Sequence, residues 1–232
     1  MKQWVFILIS FSLFAASCDN TPEAEPAGLY GLQYFPLDTS KFILYDVVEI
    51  TIDKPVNVYD TLHYQLMERY SEPYTDNSGN LAYKMERWVR DDDLSNFTLS
   101  DVWVAQVSDQ SAQTVEENVR FVKIRFPARP NRSWNGNVFN IYESQEYYIT
   151  NIDKAAEING FSFDSTLTVV QQLDSSLIHK NDCIEIYAKN IGLVFKQKIN
   201  INSQEVIPNV DIDDRITTGT KYYQKIIGFG IN

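Results

Sequence analysis

Two histidines, two cysteines and 31 acidic residues are the groups in this 232-residue chain that could move a proton, attack a carbonyl or hold a metal ion. His63 and His179 stand 116 residues apart and no Gly-x-Ser-x-Gly turn occurs, so a serine nucleophile has no base beside it in sequence. Two distant histidines and one free cysteine also lack the spacing of a zinc site, and none of the nine glycines forms a phosphate-cradling loop. No metal and no cofactor is expected. Cys183 opens the alternating Ile184-Glu185-Ile186-Tyr187 and reads as a small buried apolar residue on a strand, since a reactive thiol needs a cation and a base close by. Asp91-Asp92-Asp93 and Asp211-Ile212-Asp213-Asp214 lack calcium-loop spacing and read as solvated turns. Paired carboxylates could cleave glycosides, but the separation that decides this is not written in sequence. Trp88 differs from the other aromatics because it shares a strand face with Lys84, Glu86 and Arg90. Either it packs locally beneath charged stems or it stands at a cavity mouth where a ligand could stack, which makes it the candidate ligand-binding residue.

The other cysteine has a different setting. Met1 and Lys2 precede an apolar run over 4–16 that closes on Ala15-Ala16-Ser17-Cys18. A charged start, a short apolar middle and small residues before a cut are the parts of a secretory signal peptide, and the run is too short to span a bilayer. Cysteine directly after the small residues resembles the lipobox of bacterial lipoproteins. That resemblance implies cleavage before Cys18, acylation of its sulfur and attachment to a membrane through the lipid. Residues 1–17 then form the signal peptide and 18–28 a lipidated tether. Two prolines, three acids and no large apolar side chain follow Cys18 in that tether, so it cannot repay the entropy of ordering. Residues 29–232 remain as one domain.

Composition excludes some partners. Loss of the signal removes one lysine and no acid, leaving 19 basic against 31 acidic side chains, a net charge of −12. Phosphate backbones should repel such a chain, so nucleic acid is not an expected partner.

The elements read as strands almost throughout. Aromatic and β-branched residues alternate with polar ones over 41–51, 62–70, 83–89, 102–107, 116–126, 139–142, 147–149, 161–163, 166–173, 183–188, 193–201 and 222–229. Asp76-Asn77-Ser78-Gly79-Asn80 supplies turn chemistry for a hairpin. Only 153–158 looks helical. About ten strands with short turns and at most one short helix predict an all-β, mainly antiparallel fold, because parallel strands need helical crossovers.

Tyr34-Phe35-Pro36-Leu37-Asp38 near the domain start and Tyr187-Ala188-Lys189-Asn190-Ile191-Gly192-Leu193-Val194 near its end extend the comparison. Together they resemble the opening and closing phrases of small exported lipoproteins of the Bacteroidota. That resemblance implies a lipocalin-like β-barrel or half-barrel in the cell envelope, at the outer membrane. Asp60-Thr61-Leu62 and Asp164-Ser165-Thr166 resemble the O-glycosylation acceptor of the same bacteria, which makes Thr61 and Ser165 candidate acceptors. Three functions follow as expectations. The first is a lipid-anchored, non-catalytic module that binds an apolar or amphipathic ligand or an envelope partner. The second is a structural or assembly accessory without a small ligand, and the third a carboxylate-based hydrolase.

Overall fold

The computed structural model describes residues 30–231. Cys18, the signal segment 1–17 and the tether 18–28 lie outside the described residues.

Twelve strands form one antiparallel sheet: β1 (Lys41–Asp53), β2 (Val58–Thr75), β3 (Leu81–Arg90), β4 (Thr98–Val107), β5 (Ser111–Glu116), β6 (Val119–Arg125), β7 (Ser133–Asn135), β8 (Glu146–Ile158), β9 (Phe161–Ser175), β10 (His179–Ala188), β11 (Gly192–Asn202) and β12 (Thr218–Ile231). Their spatial order is β6-β5-β4-β3-β2-β1-β12-β11-β10-β9-β8-β7, so neighbours in sequence are neighbours in the sheet and the one long-range join is β1 to β12. Two hydrogen bonds draw the end strands together, from the Val122 amide to the Gly136 carbonyl (2.9 Å) and from Trp134 Nε1 to the Val122 carbonyl (2.8 Å). The sheet is a nearly closed barrel, of the kind expected for a lipocalin-like fold. Among the described residues the only helical turns are three 3-10 turns of three residues each.

Three readings of the sequence are corrected. Residues 153–158, expected to be helical, are the end of β8, paired with β9 through Ala156↔Phe163, Glu157↔Ser162 and Ile158↔Phe161. Asn159-Gly160, both at positive φ, makes the two-residue turn that fixes this hairpin, and long-range pairing overrides the local helix preference of Lys-Ala-Ala-Glu. The segment 116–126 is two strands, because Glu117 (φ 48°) and Asn118 (φ 65°) form a tight turn between Glu116 and Val119. Residues 139–142 are turn rather than strand.

The base of the barrel is closed by the chain before β1. Gly31 sits at φ 101°, where a Cβ would lie 2.5 Å from the Ala128 Cβ, and this tight seat lets residues 30–35 turn inward. The Ala128 amide bonds to the Tyr30 carbonyl (2.8 Å) and the Asn190 amide to the Gln33 carbonyl (2.7 Å). Tyr34 and Phe35 are buried there, with the Phe35 ring 6.0 Å from that of Tyr187. The opening and closing phrases singled out in the sequence thus pack on each other. Outside the barrel, Ile52, Ile199 and Ile201 bury a second apolar layer against Ile212 and Ile216.

Candidate functional site

Inside the barrel, side chains change character with depth. Above the apolar base lies a layer of buried charge. Lys123 Nζ on β6 lies 2.5 Å from Glu185 Oε1 on β10 and 3.2 Å from Glu116 Oε1 on β5. Lys196 Nζ on β11 completes the square at 3.6 Å from Glu185 and 3.7 Å from Glu116. The Tyr187 hydroxyl donates to Glu185 Oε2 (2.5 Å) and Thr114 Oγ1 to Glu116 Oε1 (2.8 Å). Strands β5 and β6 are far from β10 and β11 in sheet order, so these contacts cross the lumen and hold opposite walls together.

Buried charges persist only when paired, and here the pairing outweighs desolvation. Burial alone would raise the carboxyls of Glu116 and Glu185, but Lys123 and Lys196 hold both below the ordinary range. Burial would likewise lower the Lys123 ammonium, yet Glu116 and Glu185 raise it well above the usual lysine value. All three stay charged at neutral pH. Beside this layer the Arg87 guanidinium bonds to Glu68 (3.0 Å), approaches Asp101 (3.6 Å) and lies 3.7 Å above the Trp103 ring, a cation–π contact.

Open space flanks the charge layer on both sides. Below it, among Phe35, Ile43, Tyr45 and Met85, is a slot of about 60 Å³, where Gln224 is buried with its Nε2 unpartnered among the described residues. Above it is a cavity of about 500 Å³ walled by Tyr64, Trp103, Phe121 and Tyr222 together with Arg87, Lys196 and Lys198. A compartment of about 260 Å³ adjoins the cavity and shares Phe121, Lys196 and Lys198 with it, while Tyr147, Gln171 and Cys183 form its far side. The larger cavity falls within the roughly 300–1,000 Å³ of small-molecule sites, and its aromatic walls with a few polar groups have the composition of one. A hollow of about 530 Å³ outside the barrel is lined by Asp76, Gln106, Gln113 and Arg120. Those groups already bond one another: Gln106 donates to Asp76, and Arg120 donates to both glutamines.

Trp88 lines neither internal cavity. It is half-buried on β3, its Nε1 donating to Glu86 Oε2 (3.1 Å), with the Arg69 guanidinium 5.1 Å from its ring. The tryptophan that faces the cavity is Trp103, one strand over and opposite Met85. Thr61 is exposed on β2, whereas the Ser165 hydroxyl is engaged by Tyr34 (2.7 Å) and Asp153 (3.0 Å). Burial raises the Cys183 thiol above its usual pKa. His63 pairs with Asp46 (2.5 Å). Asp92 caps its turn through the amides of Leu94 and Ser95, and Asp213 is held by Lys180 and Lys221. Among the described residues no three His, Cys, Asp or Glu side chains converge on a metal position.

One cluster that sequence spacing did not indicate has the composition of a hydrolase triad. In the β9–β10 turn, His179 Nδ1 meets Ser176 Oγ (2.8 Å) and Nε2 meets Asp174 Oδ1 (2.7 Å). The Ser176 hydroxyl also accepts the amides of Ile178 and His179 (both 3.1 Å), so it caps an exposed turn.

The fold and its interior define a nearly closed antiparallel barrel with an aromatic, charged lumen. No protein-family model matches the chain, and no curated protein matches it. Among solved structures, it is similar in shape to a candidate exported protein from Bacteroides fragilis with a YmcC-like fold, at 12% identity over 84% of this chain and 98% of that one, TM-score 0.48. It is also similar to a candidate lipoprotein from Parabacteroides distasonis, at 10% identity over 85% and 98% of the two chains, TM-score 0.41.

Proposed function

We propose that the protein is a lipid-anchored, non-catalytic component of the bacterial cell envelope that holds a small amphipathic molecule in its barrel. The observation that carries this reading is the cavity of about 500 Å³, walled by aromatic rings and open above a fixed layer of charge. Rigid rings offer apolar contact at low entropic cost, while the charge layer below gives a polar end something to meet.

Two features favour binding over hydrolysis. Glu116 and Glu185, which share Lys123 and Lys196, are both held ionised by those lysines, whereas a general acid needs its pKa raised. The Ser176 hydroxyl accepts the amides of Ile178 and His179, so it serves as the cap of an exposed turn. Attachment is assigned to Cys18 and the outer membrane to the lipobox and the phrases around Tyr34 and Tyr187. A second reading, docking on an envelope protein, draws on the exposed apolar loop beside the cavity mouth, where Ile141 is 95% exposed next to Phe139 and Tyr142.

The test uses N-phenyl-1-naphthylamine, an uncharged fluorescent amphiphile. Its fluorescence should rise saturably with the wild-type chain. Trp103→Ala should weaken binding at least about fivefold, and Trp88→Ala should leave it unchanged. Equal binding by wild type and Trp103→Ala would remove the cavity as the site.

A further inference from the structure

The charge layer does not balance. Three ammonium groups, Lys123, Lys196 and Lys198, share this part of the lumen with two carboxylates, Glu116 and Glu185. The first two lysines take both carboxylates, and among the described residues Lys198 is left without an ion pair or a hydrogen-bond partner although it lines both upper compartments. It is nevertheless reachable from solvent. Desolvation by the surrounding wall, and then repulsion from Lys196, push the Lys198 ammonium below the usual lysine pKa, although its exposure lets water screen much of that effect.

A second, independent group faces the same space. Gln171 is only 7% exposed and its Nε2 has no hydrogen-bond partner among the described residues, while it lines the compartment behind Lys198. Buried amide donors are nearly always satisfied, so an orphan one beside a surplus ammonium marks a place for an acceptor. Lys198 lies opposite Cys183, and Cys183 opposite Gln172. The Lys198 and Gln171 backbones are therefore about two strand spacings, roughly 10 Å, apart, which leaves room for a small oxyanion between the side chains. The negative groups of the cavity stand on other strands and are occupied: Glu49 accepts from Tyr64 (2.6 Å) and Glu117 from Trp103 Nε1 (3.1 Å). They would turn an anionic end away from their own wall and toward Lys198.

We propose that the cavity selects amphiphiles carrying one anionic group, a carboxylate, sulfonate or phosphate, held between the Lys198 ammonium and the Gln171 amide while the apolar part lies on Trp103, Phe121 and Tyr222. This rests on the reading of the lumen as a ligand site and adds the chemical class that it takes.

The test pairs two probes that share their rings and differ by a sulfonate: N-phenyl-1-naphthylamine, which is neutral, and 8-anilinonaphthalene-1-sulfonate. All twelve strands lie within 30–231, so the unlipidated chain from residue 19 onward carries the whole site. The sulfonate should bind about tenfold more tightly than the neutral probe, as a charge-assisted bond allows. Lys198→Met should weaken the sulfonate at least about fivefold more than the neutral probe, so that the preference is lost, Lys198→Arg should keep it, and Gln171→Leu should reduce it. Circular dichroism of each variant checks the fold, which exposed Lys198 should not disturb. If both probes bind alike and Lys198→Met changes neither, or weakens both equally, the head-group assignment is wrong while the cavity reading stands. If neither probe binds wild type, the cavity reading fails, and the assignment with it.

Discussion

Lys123 shows how single side chains govern this protein. It is buried at 6% exposure with carboxylates on two strands from the far wall of the barrel and its own, so losing it strands Glu185 and Glu116 in a low-dielectric interior. Lys123→Ala should therefore cost about 3–5 kcal/mol in a urea melt, the range for breaking one partner from a buried pair. A change below about 1 kcal/mol would mean that the cluster is solvated. The same groups fix the pH response. Glu116 and Glu185 are depressed in the folded state, so their contribution is complete above the ordinary glutamate value of 4.5 and is lost as pH falls through the lower folded values. Lys123 is raised, so its contribution is complete below 10.5 and is lost as pH climbs through the higher folded value. The urea midpoint should be nearly flat from about pH 6 to 9 and fall in acid. Glu116→Gln should make that acid limb shallower, and an unchanged limb would remove Glu116 from the set that titrates. In the same assay Trp88→Ala, half-buried under Arg69, should cost about 1–2 kcal/mol, less than the roughly 3–5 of a fully buried ring.

Strand identity was legible where alternation and turn chemistry agreed. The run 62–70 separates Tyr64, Leu66 and Tyr70 from His63, Gln65 and Met67, and Asp76 accepts the amides of Ser78 and Asn80 to make the turn its sequence promised. Where pairing is decided far along the chain, local signals misled. The β8 segment 153–158 has helix-favouring residues but is held as strand by β9. The turn at Glu117-Asn118 has no glycine to mark it. The candidate site was harder to read for a definite reason. In β11 the apolar set Phe195, Ile199 and Ile201 alternates with Lys196, Lys198 and Asn200, and alternation alone would turn the apolar set inward. Here both faces of the sheet are covered, and the isoleucines pack outward against Ile212 and Ile216 while the lysines enter the lumen. The inward turn of residues 30–35 can be tested by Gly31→Ala, which combines positive φ with a Cβ placed 2.5 Å from the Ala128 Cβ. It should destabilise by about 1–3 kcal/mol and speed amide exchange at Asn190, whose amide bonds to Gln33. Unchanged exchange would mean that the base is closed some other way.

For the molecule as a whole, both sides of the barrel wall carry charge. The chain is acidic overall, yet cations gather in the lumen, and the outward faces of β2 and β3 carry His63, Gln65, Lys84 and Arg90. A membrane-spanning barrel presents an apolar band outward, which the polar faces of β2 and β3 do not supply. If Cys18 carries the lipid as proposed, Cys18→Ala should leave uncleaved precursor that takes up no labelled fatty acid. Labelling that persists would place the lipid elsewhere.

The barrel as a vessel for an amphiphile is tested most directly by a crystal structure of the protein grown with N-phenyl-1-naphthylamine. Density for the naphthyl ring is predicted between Trp103 and Tyr222, above Lys196. Density confined to the exposed Phe139–Tyr142 loop, with the lumen unfilled, would contradict it.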